Sequence, residues 1–163
     1  MLTGWAKEHM AQLLCLLRDY DQDDRRRAEE GYDDPLRTNI LSAIIDKLGC
    51  WPTISLLGAE ASYAAWLIAQ HSDHNRPFQA RCLNMMQEVS NDVLGENVAM
   101  LTDRVLINSG NKQRYGTQIL HTNKNGLPVP FPIRDEKHVD ERRATFGMRP
   151  LQEALLCWAR MGR

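Results

Sequence analysis

Asp34-Pro35-Leu36-Arg37-Thr38-Asn39-Ile40-Leu41-Ser42-Ala43-Ile44-Ile45-Asp46-Lys47-Leu48-Gly49 is the stretch that decides the fold class. Asp34 suits an N-cap, because its short carboxylate can accept from the free amides of a first helical turn. Pro35 fits the first helical position, where its missing N–H is no loss. Leu36, Ile40, Leu41, Ile44, Ile45 and Leu48 recur at helical spacing, and Gly49 stops the run. A helix with one apolar face predicts packing against further helices.

Working outward, the same periodicity predicts a helix from about Thr3 to Asp19, with Met10, Leu13, Leu14 and Leu17 on one face. Asp21 to Glu30 mixes acids and arginines whose charges nearly cancel, which reads as a solvated helical extension or loop. On the other side, Cys50-Trp51-Pro52 makes a turn, because the residue before proline avoids helical geometry. An alanine-rich helix over Ala59 to His71 follows. Asn75 and Pro77 then start another, through about Asp92, with Phe78, Cys82, Met85, Met86 and Val89 as its stripe. A shorter helix is expected near Asn97 to Leu106.

Between Lys112 and Arg134 the prolines and glycines exclude a long helix. Thr117 to His121 can form a strand and Asn125-Gly126 a turn, so a small hairpin is one outcome. Helices near Lys137–Thr145 and Pro150–Met161, separated by Gly147, finish the chain. The expected architecture is mainly α: a single-domain helical bundle over 1–163, with a long Pro/Gly-containing loop or small β-hairpin near 112–134. Long loops of this kind are often functional.

The 163 residues suffice for one hydrophobic core, and 43% hydrophobic with 25% charged residues is ordinary globular composition. A formal net charge of −1 supplies no drive toward nucleic acid or acidic membranes. No stretch approaches the roughly 20 apolar residues of a membrane span, and the first residues lack the pattern of a secretory signal. Cys15, Cys50, Cys82 and Cys157 lie far apart with no C-x-x-C pair, as expected of a cytoplasmic protein. The expected partner is therefore a small-molecule or peptide ligand rather than nucleic acid or membrane. The aromatic and methionine positions also leave a homodimer open.

Chemistry concentrates first in Gln70-His71-Ser72-Asp73-His74. Ile68 and Ala64 precede His71 by three and seven positions, so His71 continues an inward face. A nearby carboxylate such as Asp73 can fix an imidazole tautomer and raise its proton affinity. A capping role for Asp73 and Asn75 explains the same residues without catalysis. His71, His74 and His121 with Asp73 or Asp103 are suitable metal donors, but the Asn75-Arg76-Pro77 break spoils their spacing and no H-E-x-x-H is present. Asp103-Arg104 is a helical polar pair. Arg114-Tyr115-Gly116-Thr117-Gln118 offers a proton donor and orienting groups beside a glycine. In Val139-Asp140-Glu141-Arg142-Arg143, Asp140 and Arg143 share a helical face, and arginine suits carboxylate or phosphate. Phosphate loops, dinucleotide fingerprints and nucleophile elbows are absent from the sequence, and each cysteine sits on or beside an apolar stripe.

An ordered series resembles a bacterial family known as a domain of unknown function. It comprises Trp51-Pro52, Ala64-Ala65-Trp66, Gln70-His71 with Asp73, Phe78-Gln79, Leu101-Thr102-Asp103-Arg104-Val105, Gln113 and Tyr115-Gly116-Thr117-Gln118. It continues through Pro132-Ile133, Val139-Asp140, Arg142-Arg143 and Gly147-Met148 before Pro150-Leu151. The resemblance is clear from Trp51 onward and weaker in the N-terminal third. It carries no reaction with it, but implies that the polar motifs form a shared pocket.

The functional expectation is a small, metal-independent and cofactor-independent enzyme. His71 would be the general acid or base, oriented by Asp73 or Asp103, with Tyr115 as a second proton donor. Arg104 and Arg143 would hold a carboxylate or phosphate. Gln70 and Gln118 would orient the ligand, with Asp140 beside Arg143 in the binding set. Hydrolase, lyase, isomerase and cyclase chemistry on a small polar or anionic metabolite or peptide all fit, as in a biosynthetic tailoring step. The alternatives are a non-catalytic binding module of immunity or regulatory type, and a metalloprotein using His71, His74 and His121.

Overall fold

The computed structural model describes residues 3–27 and 34–161, with no side-chain description for Met161. In chain order the elements are α1 (Gly4–Arg27), α2 (Asp34–Leu48), the single turn α3 (Ile54–Leu57), α4 (Ala59–Gln70), α5 (Arg76–Glu88) and α6 (Gly95–Asn108). Strands β1 (Ile119–Thr122) and β2 (Pro128–Pro130) follow, then a 3-10 turn (Glu136–His138), α7 (Val139–Ala144) and α8 (Leu151–Met161). The architecture is mainly α with one small antiparallel hairpin. Contacts group the chain into two compact units, Met1–Leu94 and Gly95–Arg163.

In the first unit α1, α2, α3 and α5 all pack on α4. That helix is buried nearly all round: Ala61, Ala64, Ala65, Trp66, Leu67, Ile68 and Ala69 are at most 8% exposed. Its alanines let neighbouring backbones approach closely, while Leu14, Leu41, Ile45, Trp51 and Met86 supply the volume around it. Each such large side chain contributes about 1.5–3 kcal/mol through removal from water. Gly49 closes α2 at φ +72, the left-handed geometry that glycine accepts without strain. Asn75 caps α5, its side chain accepting from the Phe78 amide at 3.2 Å.

Three expectations need correction here. Helix α1 runs to Arg27, so 21–27 is the helical extension and not a loop, but it is not wholly solvated, since Asp21 is only 1% exposed; residues 28–30 of that expected extension lie outside the described set. Leu13 and Leu36 face outward, while Leu14, Leu17, Arg37 and Thr38 take the buried positions. The burial of charged Arg37 in place of Leu36 reflects its pairing with Asp24 of α1 and with Asp34 of its own helix, and the first of these spacing does not show. Finally, α3 was not expected; Asp92 holds it, accepting from the Ser55 amide and hydroxyl at 3.0 and 2.9 Å.

The second unit is built around its hairpin. Ile119 pairs with Pro130 and Thr122 with Pro128, with an irregularity between Ile119 and His121. The turn is an Asx type: the Asn123 carboxamide oxygen accepts from the Asn125 and Leu127 amides at 2.9 and 3.0 Å. Gly126, at φ +76, completes it. Strand β2 packs on α8, and Ile133, Val139 and Leu151 form a small core beside it. No helix among the described residues is long and apolar enough to cross a membrane.

Candidate functional site

His71 is the C-terminal cap of α4, and its imidazole is 17% exposed. Its Nδ1 stands 3.0 Å from both carboxylate oxygens of Asp21 on α1. Arg25, one helical turn further along α1, donates from Nε to the same carboxylate at 3.1 and 3.2 Å. That Nε also lies 3.1 Å from His71 Nδ1. An ionised carboxylate only accepts, so His71 carries a proton on Nδ1 and both groups donate to Asp21, and the approach of Arg25 Nε to Nδ1, one donor beside another, is then no hydrogen bond. The Nε2 lone pair then points away from the carboxylate, and no partner for it is recorded among the described residues.

The charges around this pair form a chain. Arg25 Nη2 reaches Asp21 at 3.0 Å and Asp34 at 2.9 Å. Arg37, 6% exposed, joins Asp34 and Asp24. Burial raises the Asp21 carboxyl, but hydrogen bonds from His71 and Arg25 outweigh it and lower the group to about 2. Asp21 is therefore a fixed anion at neutral pH. Next to His71, the Ser72 hydroxyl donates to Ile68 O at 2.8 Å, so Thr38 must donate to Ser72 across their 2.8 Å contact. These bonds clamp the end of α4 against α2.

The expected orienting carboxylates do other work. Asp73 is exposed and accepts from Gln79 Nε2 at 3.1 Å, a side chain that also caps the carbonyls of Ala69 and Gln70. Gln70 is buried on α4. Asp103 lies in the second unit on α6 with 0% exposure. Its two oxygens accept from the amides of Arg114, Tyr115 and Thr117 at 2.7–3.1 Å and from the Thr117 hydroxyl at 3.0 Å. A carboxylate so fully engaged is the anchor of a loop, with no lone pair left for proton abstraction.

Much of the motif chemistry in the second unit has this anchoring character. Gln113, also 0% exposed, donates to Gln118 O and Phe131 O and accepts from the Gln118 amide. Gln118 donates from its own side chain to Met100 O at 3.3 Å. Arg142 donates to the carbonyls of Arg114, Arg134 and Asp135. Asp140 accepts from the Leu151 amide at 2.7 Å and so caps α8. Tyr115 packs edge-on against Phe146 within a core that includes Ala99 and Met148. Arg104 is half-buried on α6. Gly116 explains its own presence: φ is +71, and a Cβ there would meet Leu151 at 2.7 Å and Ile133 at 3.0 Å.

Arg143 differs from the other anchors. It is 3% exposed, donates from Nη1 to Tyr115 O at 2.6 Å and from Nε to Arg149 O at 2.8 Å. No carboxylate lies within ion-pair distance among the described residues. Burial lowers its proton affinity, opposed by the more distant charges of Asp140, Glu96 and Asp103. It lines a cavity of about 480 Å³ with apolar walls.

The structure thus gathers the expected residues into two groups. His71, Gln70 and Asp73 belong to the first unit; Asp103, Arg104, Tyr115, Gln118, Asp140 and Arg143 belong to the second. The partner that sequence reasoning missed is Asp21. Its signal was the register Leu14, Leu17, Asp21, spaced three and four along one helix face. Among the described residues no set of three or more His, Cys, Asp or Glu side chains is arranged to hold a metal ion, and His74 and His121 are exposed.

Residues 14–159 match the model of a family described only as of unknown function, DUF6624, and the chain belongs to that family. The match includes α1 from Leu14 onward, and so Asp21 and Arg25. No curated protein and no solved structure matches the chain.

Proposed function

We propose that this chain is a small cytoplasmic acid/base catalyst acting on a small polar or anionic metabolite or peptide, with His71 as the proton-transfer group. The observation that carries the reading is the His71–Asp21 pair. A permanently ionised carboxylate on Nδ1 holds one tautomer and stabilises the imidazolium formed when Nε2 takes a proton. Asp21 is thus a positioning residue, and Arg25 fixes the carboxylate in turn. Placed imidazoles of this kind serve hydrolysis, elimination, isomerisation and cyclisation. The assignment of Asp73 and Asp103 as orienting groups gives way to Asp21, since both are already committed elsewhere.

The test is turnover of a mixed panel of small esters, amides, hydroxy acids and short peptides, followed by NMR. Wild-type protein should convert a substrate that folded His71→Gln leaves intact, and Asp21→Asn should lower kcat and shift its pH profile. Unchanged conversion by folded His71→Gln would sink the reading. A second reading, a non-catalytic ligand-binding module, is favoured by the Arg143 cavity. It predicts stoichiometric binding without turnover, retained in His71→Gln.

A further inference from the structure

We infer that the cavity of the second unit is a binding site for a monoanionic carboxylate with an apolar body. The proposal gives a ligand class to the binding-module reading and does not depend on catalysis at His71. The first observation is the state of Arg143. A guanidinium at 3% exposure with no ion-pair partner among the described residues is costly, and two backbone carbonyls compensate it only in part. They occupy Nε and Nη1. No partner for Nη2 is recorded among the described residues, and the side chain lines the cavity. A carboxylate there would supply the missing counter-charge through a charge-assisted hydrogen bond.

The second observation is the wall. Met100, Ile119, Met148, Leu155 and Trp158 line the space, and its volume of about 480 Å³ suits a small organic molecule. Trp158 is 43% exposed, an apolar surface that a ligand body would cover. The third is charge. Arg143, Arg149 and Glu96 are the charged residues of the lining, leaving one net positive charge. That balance favours one carboxylate and disfavours a second, which Glu96 would oppose. Gly116 also lines the space and cannot carry a side chain, so the backbone there stays close to the ligand.

The experiment is calorimetric titration of the full chain with octanoate and 4-phenylbutyrate, against octanol and 4-phenylbutanamide as uncharged matches. The carboxylates should bind saturably in the millimolar range or tighter, and the uncharged matches about tenfold more weakly, the scale of about 1.4 kcal/mol for one modest charge-assisted contact. Arg143→Lys should weaken the carboxylates, but that variant also loses bonds to Tyr115 and Arg149 and can unfold. Trp158→Glu avoids the problem, because the position is partly exposed: it adds an anion to the wall and should weaken octanoate by tenfold or more while circular dichroism stays unchanged. Equal affinity for charged and uncharged members, no binding by any of the four, or full binding in folded Trp158→Glu would each overturn the proposal.

Discussion

His71 Nδ1 sits 3.0 Å from each oxygen of Asp21, a carboxylate fifty positions earlier in the chain. This contact ties the end of α4 to α1, and the buried anion at its centre accepts from three side chains, His71, Arg25 and Gln22. Its removal should be felt as stability before it is felt as anything else. Asp21→Asn removes the negative charge and turns one of the two accepting oxygens into a donor facing Arg25 and His71, and should cost about 3 kcal/mol in urea unfolding, the range for breaking a buried ion pair.

The same carboxyl governs acid stability. Its pKa falls from 3.8 to about 2 on folding, so the unfolded chain binds the proton more tightly. The contribution is complete above about pH 4 and disappears as pH falls through about 2, amounting to about 2 kcal/mol. Acid unfolding curves of wild type and Asp21→Asn should therefore converge between pH 4 and 2. Parallel curves would contradict the assignment.

Two glycines with nearly the same backbone angle should respond differently to alanine. Gly49 and Gly116 have φ of +72 and +71, but a Cβ meets nothing within 4 Å at the first and Leu151 at 2.7 Å at the second. Gly49→Ala should cost about 1 kcal/mol, the left-handed penalty alone. Gly116→Ala should cost about 2–4 kcal/mol, because overpacking adds to it. Equal losses in chemical denaturation would show that the Gly116 site relaxes freely.

Asp103 makes a prediction that amide exchange can read. In Asp103→Asn, one oxygen that accepted becomes a donating NH2 facing backbone N–H groups. The amides of Arg114, Tyr115 and Thr117 should lose protection well before α6 does, with a global loss of about 2–3 kcal/mol.

Cysteine reactivity should follow burial. The Cys82 thiol, 0% exposed, is pushed up to about 12 by desolvation, whereas Cys50 is exposed. Iodoacetamide at pH 8 should label Cys50 in the native protein and reach Cys82 only with denaturant, as mass spectrometry would show.

Local signals carry most of the secondary structure. Asp34-Pro35 and Gly49 bracket α2, Asn75 opens α5, and Asn125-Gly126 closes the hairpin, because caps and turns are written in adjacent residues. What escapes is pairing at a distance. Asp21 looks like one charge among many in an arginine-rich run, and only its α1 register hints at burial. The motif around Asp103, Tyr115, Gln118 and Arg142 is legible as polar and purposeful. Its purpose in bracing a proline-rich loop depends on backbone amides and carbonyls, which no residue pattern displays. Arg143 is legible as a cation on the face of a short helix, while the apolar wall beside it comes from Met100, Ile119 and Trp158 on three separate elements.

The prolines that bracket β2 have a consequence for the protein in crowded solution. A two-stranded ribbon has two open edges, each a template on which another chain can build. Pro128 and Pro130 have no N–H, so β2 can offer incoming chains no donor at either position. Growth of a longer intermolecular sheet from that side is starved of donors at every other position, and the hairpin protects its own protein from fibrillar self-association.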